Sequence, residues 1–270
     1  MRQKIIIKTA AGNKFKNKNP HRNPLKELVI LAVITYSVTM KLIPVIDLLD
    51  GHVVHAKNGT RKHYQPVHSA LCKSSQPIHV INDFLSLYAF DTIYIADLNA
   101  IMKTGNNNSF ILTLLNHFPD ITFWLDQGAW ATQTLAHQKI IPIIGTESLN
   151  PKTTIEDTLF SHCPPFILSL DFSHNRPLGP VPLFQKPLLW PATVIAMTLD
   201  RIGGQLGPDF NKLTMLQEQR PDIDLVAAGG IRSLTDLEQL KQRNIHTALI
   251  ASALHNQRLD SCIISQLAHY

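Results

Sequence analysis

Eight short apolar runs, each ending in a polar residue or glycine, recur between residues 42 and 252, and their regular return limits the folds open to this chain. They are Leu42–Asp47, Thr92–Asp97, Ile121–Asp126, Ile141–Gly145, Phe166–Asp171, Val194–Thr198, Asp224–Gly229 and Thr247–Ser252. Runs of this length bounded by turn residues read as strands buried on both faces, the pattern of a parallel sheet. The segments between them predict helices over Pro77–Ala89, Asn108–His117, Trp130–Gln138, Pro208–Gln219, Ser233–Gln242 and His255–Ala268. Ser233, with Asp236 three residues on, has the form of a capping box. The fifth unit differs: Pro177, Pro180, Pro182, Pro187 and Pro191 leave its helix short or missing. Eight β/α units in about 230 residues point to a (β/α)8 TIM barrel. The alternative is a doubly wound open sheet, but no glycine-rich dinucleotide turn follows the first strand.

The halves echo one another in order. PVIDL around Asp47 answers LSLDF around Asp171, and YIADLNA (Tyr94–Ala100) answers AMTLDR (Ala196–Arg201). LDQGAW (Leu125–Trp130) answers AAGGIR (Ala227–Arg232), and PIIGTESL (Pro142–Leu149) answers ALIASALH (Ala248–His255). Ordered correspondence of this kind marks a duplicated half-barrel. It sets Asp47 opposite Asp171 across the barrel mouth.

Charge divides the chain at about residue 39. Residues 1–39 hold eight Lys and Arg against Glu27 alone, so of the net charge of +5 the body, 40–270, carries −2. A slightly acidic body argues against nucleic acid as a partner. Residues 1–39 form a basic extension expected to be disordered, with a short apolar run, Leu28–Val38. That run is too short to span a bilayer; it resembles a signal-peptide core without a small-residue cleavage site. The alternative is that the protein proper starts at Met40. Three widely spaced cysteines form neither a disulfide framework nor a zinc pattern, which suits a reducing, cytoplasmic setting. The local histidines, His52, His55, His63 and His68, match no metal motif.

Two acids at the ends of opposite strands suit proton transfer on one substrate held between them, provided their environments separate their acidities. For a lone Asp, helix capping or ion pairing is the plainer reading; the pseudo-symmetric pair favours catalysis. Gly229-Gly230, leading into the helix that starts at Ser233, reads as a phosphate cup, with Ala251 and Ser252 completing it. The first-half counterpart is weaker: Gly128, Gly145 and Thr146 could offer donors, but Asp126 would repel a phosphate. Thr198 could hydrogen-bond the reacting centre. The glycine loop after it, through Gly203, Gly204 and Gly207, could form a lid. In the loop after the first strand, Arg61 and Tyr64 are placed to read the substrate's far end.

PVIDLLDGHVV, YIADLNA, PIIGTESL, SLDF, the Thr198–Gly204 segment and AAGGIRSLTDLEQL together resemble the HisA/HisF family of histidine-biosynthesis barrels. The resemblance covers most of residues 41–255. It implies an Amadori rearrangement of a phosphorylated aminoaldose to an aminoketose, with Asp47 as general base, Asp171 as general acid and Thr198 assisting. It places one phosphate on Gly229 and Gly230 and implies no metal or organic cofactor. Three departures stand out: Asp126-Gln127-Gly128-Ala129 at the first-half phosphate turn, Ala251-Ser252 in place of a Gly-Arg pair, and the lack, in the loop after Thr198, of the acid the family places before its glycine. The block Gly59–Ser69 is similar instead to a paralogous branch of these barrels in methanogens and methylotrophs. The expected partner is thus a small phosphorylated substrate: the histidine intermediate, or another metabolite handled by the same acids. A non-catalytic barrel subunit is the remaining alternative.

Overall fold

Each of the eight apolar runs forms a strand. In chain order the strands are β1 (Lys41–Leu49), β2 (His52–Val54), β3 (Thr92–Asp97), β4 (Thr122–Asp126), β5 (Ile140–Gly145), β6 (Ile167–Ser173), β7 (Arg176–Pro177), β8 (Thr193–Thr198), β9 (Asp224–Ala228) and β10 (Thr247–Ile250). The computed structural model describes residues 39–57, 59–128, 135–150 and 165–269. Strands β1, β3, β4, β5, β6, β8, β9 and β10 pair in parallel, and β1 lies in register with β10, Lys41 beside Thr247 and Pro44 beside Ile250. The sheet therefore closes on itself, and the fold is a (β/α)8 barrel. The basic extension, residues 1–38, lies outside the described residues.

The two strands outside the ring are antiparallel appendages placed alike in each half. β2 folds back on β1, and β7 folds back on β6. Both turns use two residues with positive φ, Asp50 (50°) and Gly51 (79°) in one, His174 (48°) and Asn175 (63°) in the other. Two successive left-handed residues are what a tight hairpin needs to match the twist of its strands. The duplication thus extends to the hairpin that follows each catalytic candidate.

Side chains alternate along each strand, so the barrel has two apolar layers. On β1, Leu42, Ile46 and Leu48 pack outward beneath the helices, whereas Ile43 and Val45 face the barrel interior. Asp47 continues the inward series. The same alternation on β4 and β6 sends Phe123, Leu125, Leu168 and Leu170 outward and Trp124 and Ile167 inward. Asp126 and Asp171, two and four residues on, end those inward rows.

The described helices are α1 (Pro77–Leu87), α2 (Leu98–Ile101), α3 (Asn108–His117), α4 (Val181–Gln185), α5 (Phe210–Gln219), α6 (Leu234–Gln242), α7 (Ser252–His255) and α8 (Ser261–His269). The proline-rich fifth unit has only the short α4, as its composition requires. The helix predicted over Trp130–Gln138 lies largely outside the described residues, and residues 135–137 are not helical. The predicted His255–Ala268 helix is two. The chain breaks at Gln257, with φ at 54°, and Asp260 restarts it by accepting the Ile263 amide at 2.9 Å. At α6 the Ser233 hydroxyl caps the Asp236 amide. The Asp236 carboxylate, however, goes to the Arg232 guanidinium, at 2.8 and 3.0 Å. Among the described residues no helix is long and apolar enough to cross a membrane.

Candidate active site

A cavity of about 160 Å³ opens at the carboxyl ends of the strands, and Asp47, Asp126 and Asp171 all line it. Asp47 and Asp171 come from the first and fifth strands of the ring and so face one another across its mouth. Period-two alternation brings them there: Asp47 follows the inward Val45, and Asp171 follows the inward Ile167 and Ser169.

The hairpin that carries Asp47 is anchored by buried amides. The Asn107 side chain accepts from the Gly51 amide at 3.0 Å and donates to Asp97 at 2.7 Å. Asn99 exchanges hydrogen bonds with Asp50, at 2.9 Å to its amide and 2.8 Å to its carboxylate. Glycine suits position 51, whose φ of 79° lies in the left-handed region; a Cβ there would push aside the exposed Phe110 ring. After β2 a short 3-10 turn, Arg61–His63, brings Arg61 and Tyr64 to the cavity. Arg61 forms an ion pair with Glu147, which joins this loop to the turn after β5.

Asp171 sits in a nest of donors. Its carboxylate accepts from Ser169 Oγ at 2.6 Å, the Glu147 amide at 2.9 Å and Thr146 Oγ1 at 3.3 Å. Asp126 accepts from the Tyr94 hydroxyl at 3.0 Å and the Gly128 amide at 2.8 Å. Both carboxylates close over Gly145: a Cβ there would meet Asp171 Oδ2 at 3.2 Å and Asp126 Oδ2 at 3.5 Å. The missing side chain makes room for two acids.

Burial raises the pKa of all three carboxyls, and their neighbours separate them. Asp171 rises to about 8, through burial first and the Glu147 charge second. Asp47 rises to about 7, through burial, with the Arg61 charge partly restraining it. Asp126 rises to about 6, through burial opposed by the Gly128 and Tyr94 hydrogen bonds. Burial also pushes Tyr64 up to about 12, so its phenol stays protonated. Neighbouring His55 and His255, rings 5.6 Å apart, reach the same cavity. Burial and His55 lower His255 to about 4, so it is neutral at pH 7.

The second-half glycine turn also lies in the cavity: Gly229, Gly230, Ala251, Ser252 and the loop residue Gly204 all line it. The two glycines have φ of 95° and 83°. A Cβ on Gly229 would fall 2.6 Å from the Thr198 carbonyl, and one on Gly230 would fall 2.3 Å from the Gly207 carbonyl. Close backbone packing thus demands glycine at both, whatever the turn binds. The loop after β8 is strapped over this end, with Arg201 donating to the Gly207 carbonyl at 2.9 Å and Arg232 to that of Gln205 at 2.6 Å.

Four expected residues stand elsewhere. Gly128, Gly145, Thr146 and Thr198 do not line the cavity. The donors expected to hold a first-half phosphate are taken up by acids: the Gly128 amide by Asp126, and the Thr146 hydroxyl by Asp171, whose amide it also receives at 2.8 Å. On β8, Ile195 and Met197 face inward and Val194 and Ala196 outward, so alternation turns Thr198 to the outer side. Met197 lines the cavity in its place. Sequence reasoning gave no role to Glu147, Tyr94 or Ser169. The signal was present in the period of two: Tyr94 and Ser169 each precede an inward position by two, and Glu147 stands two residues beyond the end of β5.

Fold and site together define a (β/α)8 barrel with a carboxylate-lined mouth. The sequence matches the family described as "Histidine biosynthesis protein" over residues 41–178 and 190–260, and the chain belongs to that family. It is similar to an uncharacterized protein of Methanocaldococcus jannaschii, 30% identical over 224 residues, or 82% of this chain and 96% of the relative. It is also similar to the 1-(5-phosphoribosyl)-5-((5-phosphoribosylamino)methylideneamino) imidazole-4-carboxamide isomerase of Bacillus cereus, 23% identical over 82% of this chain and 95% of that protein. The enzyme of the same name from Oceanobacillus iheyensis is 21% identical over 80% of this chain and 93% of its own length.

Proposed function

We propose that the protein is an aldose–ketose isomerase of the Amadori type, acting on a phosphorylated aminosugar. The supporting observation is the facing pair, the half-buried Asp47 and the buried Asp171, with Asp171 the weaker acid. Near neutral pH, Asp171 keeps a proton to give and Asp47 is the more readily ionised of the two. Asp171 protonates the ring oxygen of the aldosylamine, and the C1–O bond breaks as the nitrogen lone pair forms C=N. Asp47 then removes the C2 proton, and that bond's electrons form C1=C2 while nitrogen regains its lone pair. A proton returns to C1, the C2 hydroxyl loses its own, and the product is the 1-amino-1-deoxyketose, an isomer of the substrate. Gly229, Gly230 and Ser252 hold the phosphate, and Arg61 and Tyr64 close the loop side of the cavity.

The isomerases among the relatives make the imidazole-carboxamide ribotide the first compound to assay. A second reading, in which the same acids act on another phosphorylated metabolite, draws support from Asp126, which stands where the first-half phosphate turn was expected. The experiment is an Amadori turnover assay with that ribotide and a panel of phosphorylated aldosylamines, using wild type and the Asp47→Asn, Asp171→Asn double variant. Turnover of one compound by wild type and its loss in the variant is the expected result. Undiminished turnover by the double variant would end the proposal.

A further inference from the structure

The two ends of the cavity carry opposite chemistry. At the glycine end stand Gly229, Gly230, Ser252 and Arg258. Arg232 is nearby but engaged, by Asp236 and by the Gln205 carbonyl. Arg258 has no side-chain partner among the described residues, which leaves its guanidinium available to an anion. At the opposite end Asp126 and Asp171 share the space over Gly145, with Glu147 beside them. Among the described residues the donors there already serve acids: the Gly128 amide and Tyr94 hydroxyl serve Asp126, the Glu147 amide and Ser169 hydroxyl serve Asp171, and Arg61 serves Glu147. A second phosphate, carrying about −1.5 to −2 charges at pH 7, would meet three acidic side chains, Asp126, Glu147 and the proton-holding Asp171, and no unengaged cation among the described residues.

We infer that the substrate carries one phosphate, bound at the Gly229-Gly230 end with Arg258 as its cation, and presents a protonated amine to Asp126 at the other. Tyr94 is the positioning residue, fixing the Asp126 carboxylate from a site that is itself only 2% exposed. An ammonium there offsets the burial that weakens Asp126 as an acid and restores its charge. The class is therefore an amino-sugar monophosphate, in preference to a bisphosphate. The inference rests on the proposed isomerase reading for the phosphate end, and adds to it which residue selects the far half.

Three probes separate the terms: glucosamine 6-phosphate, glucose 6-phosphate and fructose 1,6-bisphosphate, each titrated calorimetrically into wild type, Asp126→Asn and Arg258→Gln. Wild type is expected to bind the amino sugar at least about tenfold tighter than glucose 6-phosphate, in proportion to ~1.4 kcal/mol for one charge-assisted contact, and the bisphosphate no tighter than glucose 6-phosphate. Asp126→Asn, which can still accept from Gly128 and pair with Tyr94, should erase the amine preference. Arg258→Gln should weaken the two sugar monophosphates alike and leave their ratio unchanged. A wild type that binds the bisphosphate tightest, or an amine preference that survives Asp126→Asn, overturns the inference; so does failure of all three probes to bind. Binding is read without turnover. A protein inactive in the Amadori assay but selective here retires the isomerase reading alone, and an active one that prefers the bisphosphate retires this one.

Discussion

Asp171 offers the sharpest test of the site's electrostatics. It is 3% exposed, and its pKa rises from 3.8 to about 8 on folding. A carboxyl whose folded pKa is raised binds a proton in the native state that the unfolded chain has released. Its favourable contribution is complete below about pH 4 and is lost as pH climbs to about 8. At ~1.4 kcal/mol per pKa unit, the full displacement corresponds to at most roughly 6 kcal/mol. Asp47 and Asp126 titrate over the same span and share part of it, so about 2–5 kcal/mol falls to Asp171 itself. Asp171→Asn removes the charge but keeps the hydrogen bonds: its oxygen accepts from the Glu147 amide, and its NH2 donates to Ser169 Oγ once that hydroxyl turns. Urea unfolding of both proteins between pH 4 and pH 9 is the assay. The variant should match wild type near pH 4 and exceed it by about 2–5 kcal/mol at pH 9. A difference that does not change with pH, or one that favours wild type at pH 9, would refute the assigned environment of Asp171.

Further outcomes follow from the same geometry. Turnover should trace a bell in pH, rising as Asp47 ionises near 7 and falling as Asp171 ionises near 8; Asp47→Asn should lower kcat by about 10²–10⁴-fold and flatten the rising limb. Arg61→Ala removes the one charge that restrains Asp47, so the rising limb should move to higher pH, measured in the same kcat profile. Gly230→Ala forces a Cβ to 2.3 Å from the Gly207 carbonyl at φ 83°, and should cost about 1–3 kcal/mol in urea unfolding and weaken inorganic phosphate binding. Asn107→Ala strands the Gly51 amide and part of Asp97 in a buried place, and should cost about 2–3 kcal/mol by the same measurement.

The barrel was legible because its signal is periodic. Eight apolar runs survive any local error in a helix boundary, and closure follows from their number. The facing acids were legible for the same reason, since Asp47 and Asp171 lie at matching points of a repeat. What the sequence hid depends on contacts between distant segments. His174-Asn175 forms a hairpin turn without glycine, so ordinary turn chemistry does not reveal it. Asp126 could be seen to repel a phosphate, but not to draw the Gly128 amide to itself. The break at Gln257 lies within an apolar pattern that continues on both sides, and only the Asp260 cap distinguishes two helices from one.

The hairpins behind Asp47 and Asp171 give each acid a backbone mounting of its own, to which the loops around it add hydrogen bonds. Each backbone is turned by its own strand and an immediate return, two residues wide. Insertions or replacements in the segments that contact the ends of a ligand can then alter what is bound while the proton-handling pair keeps its spacing. A barrel made this way can change customers without rebuilding its workbench.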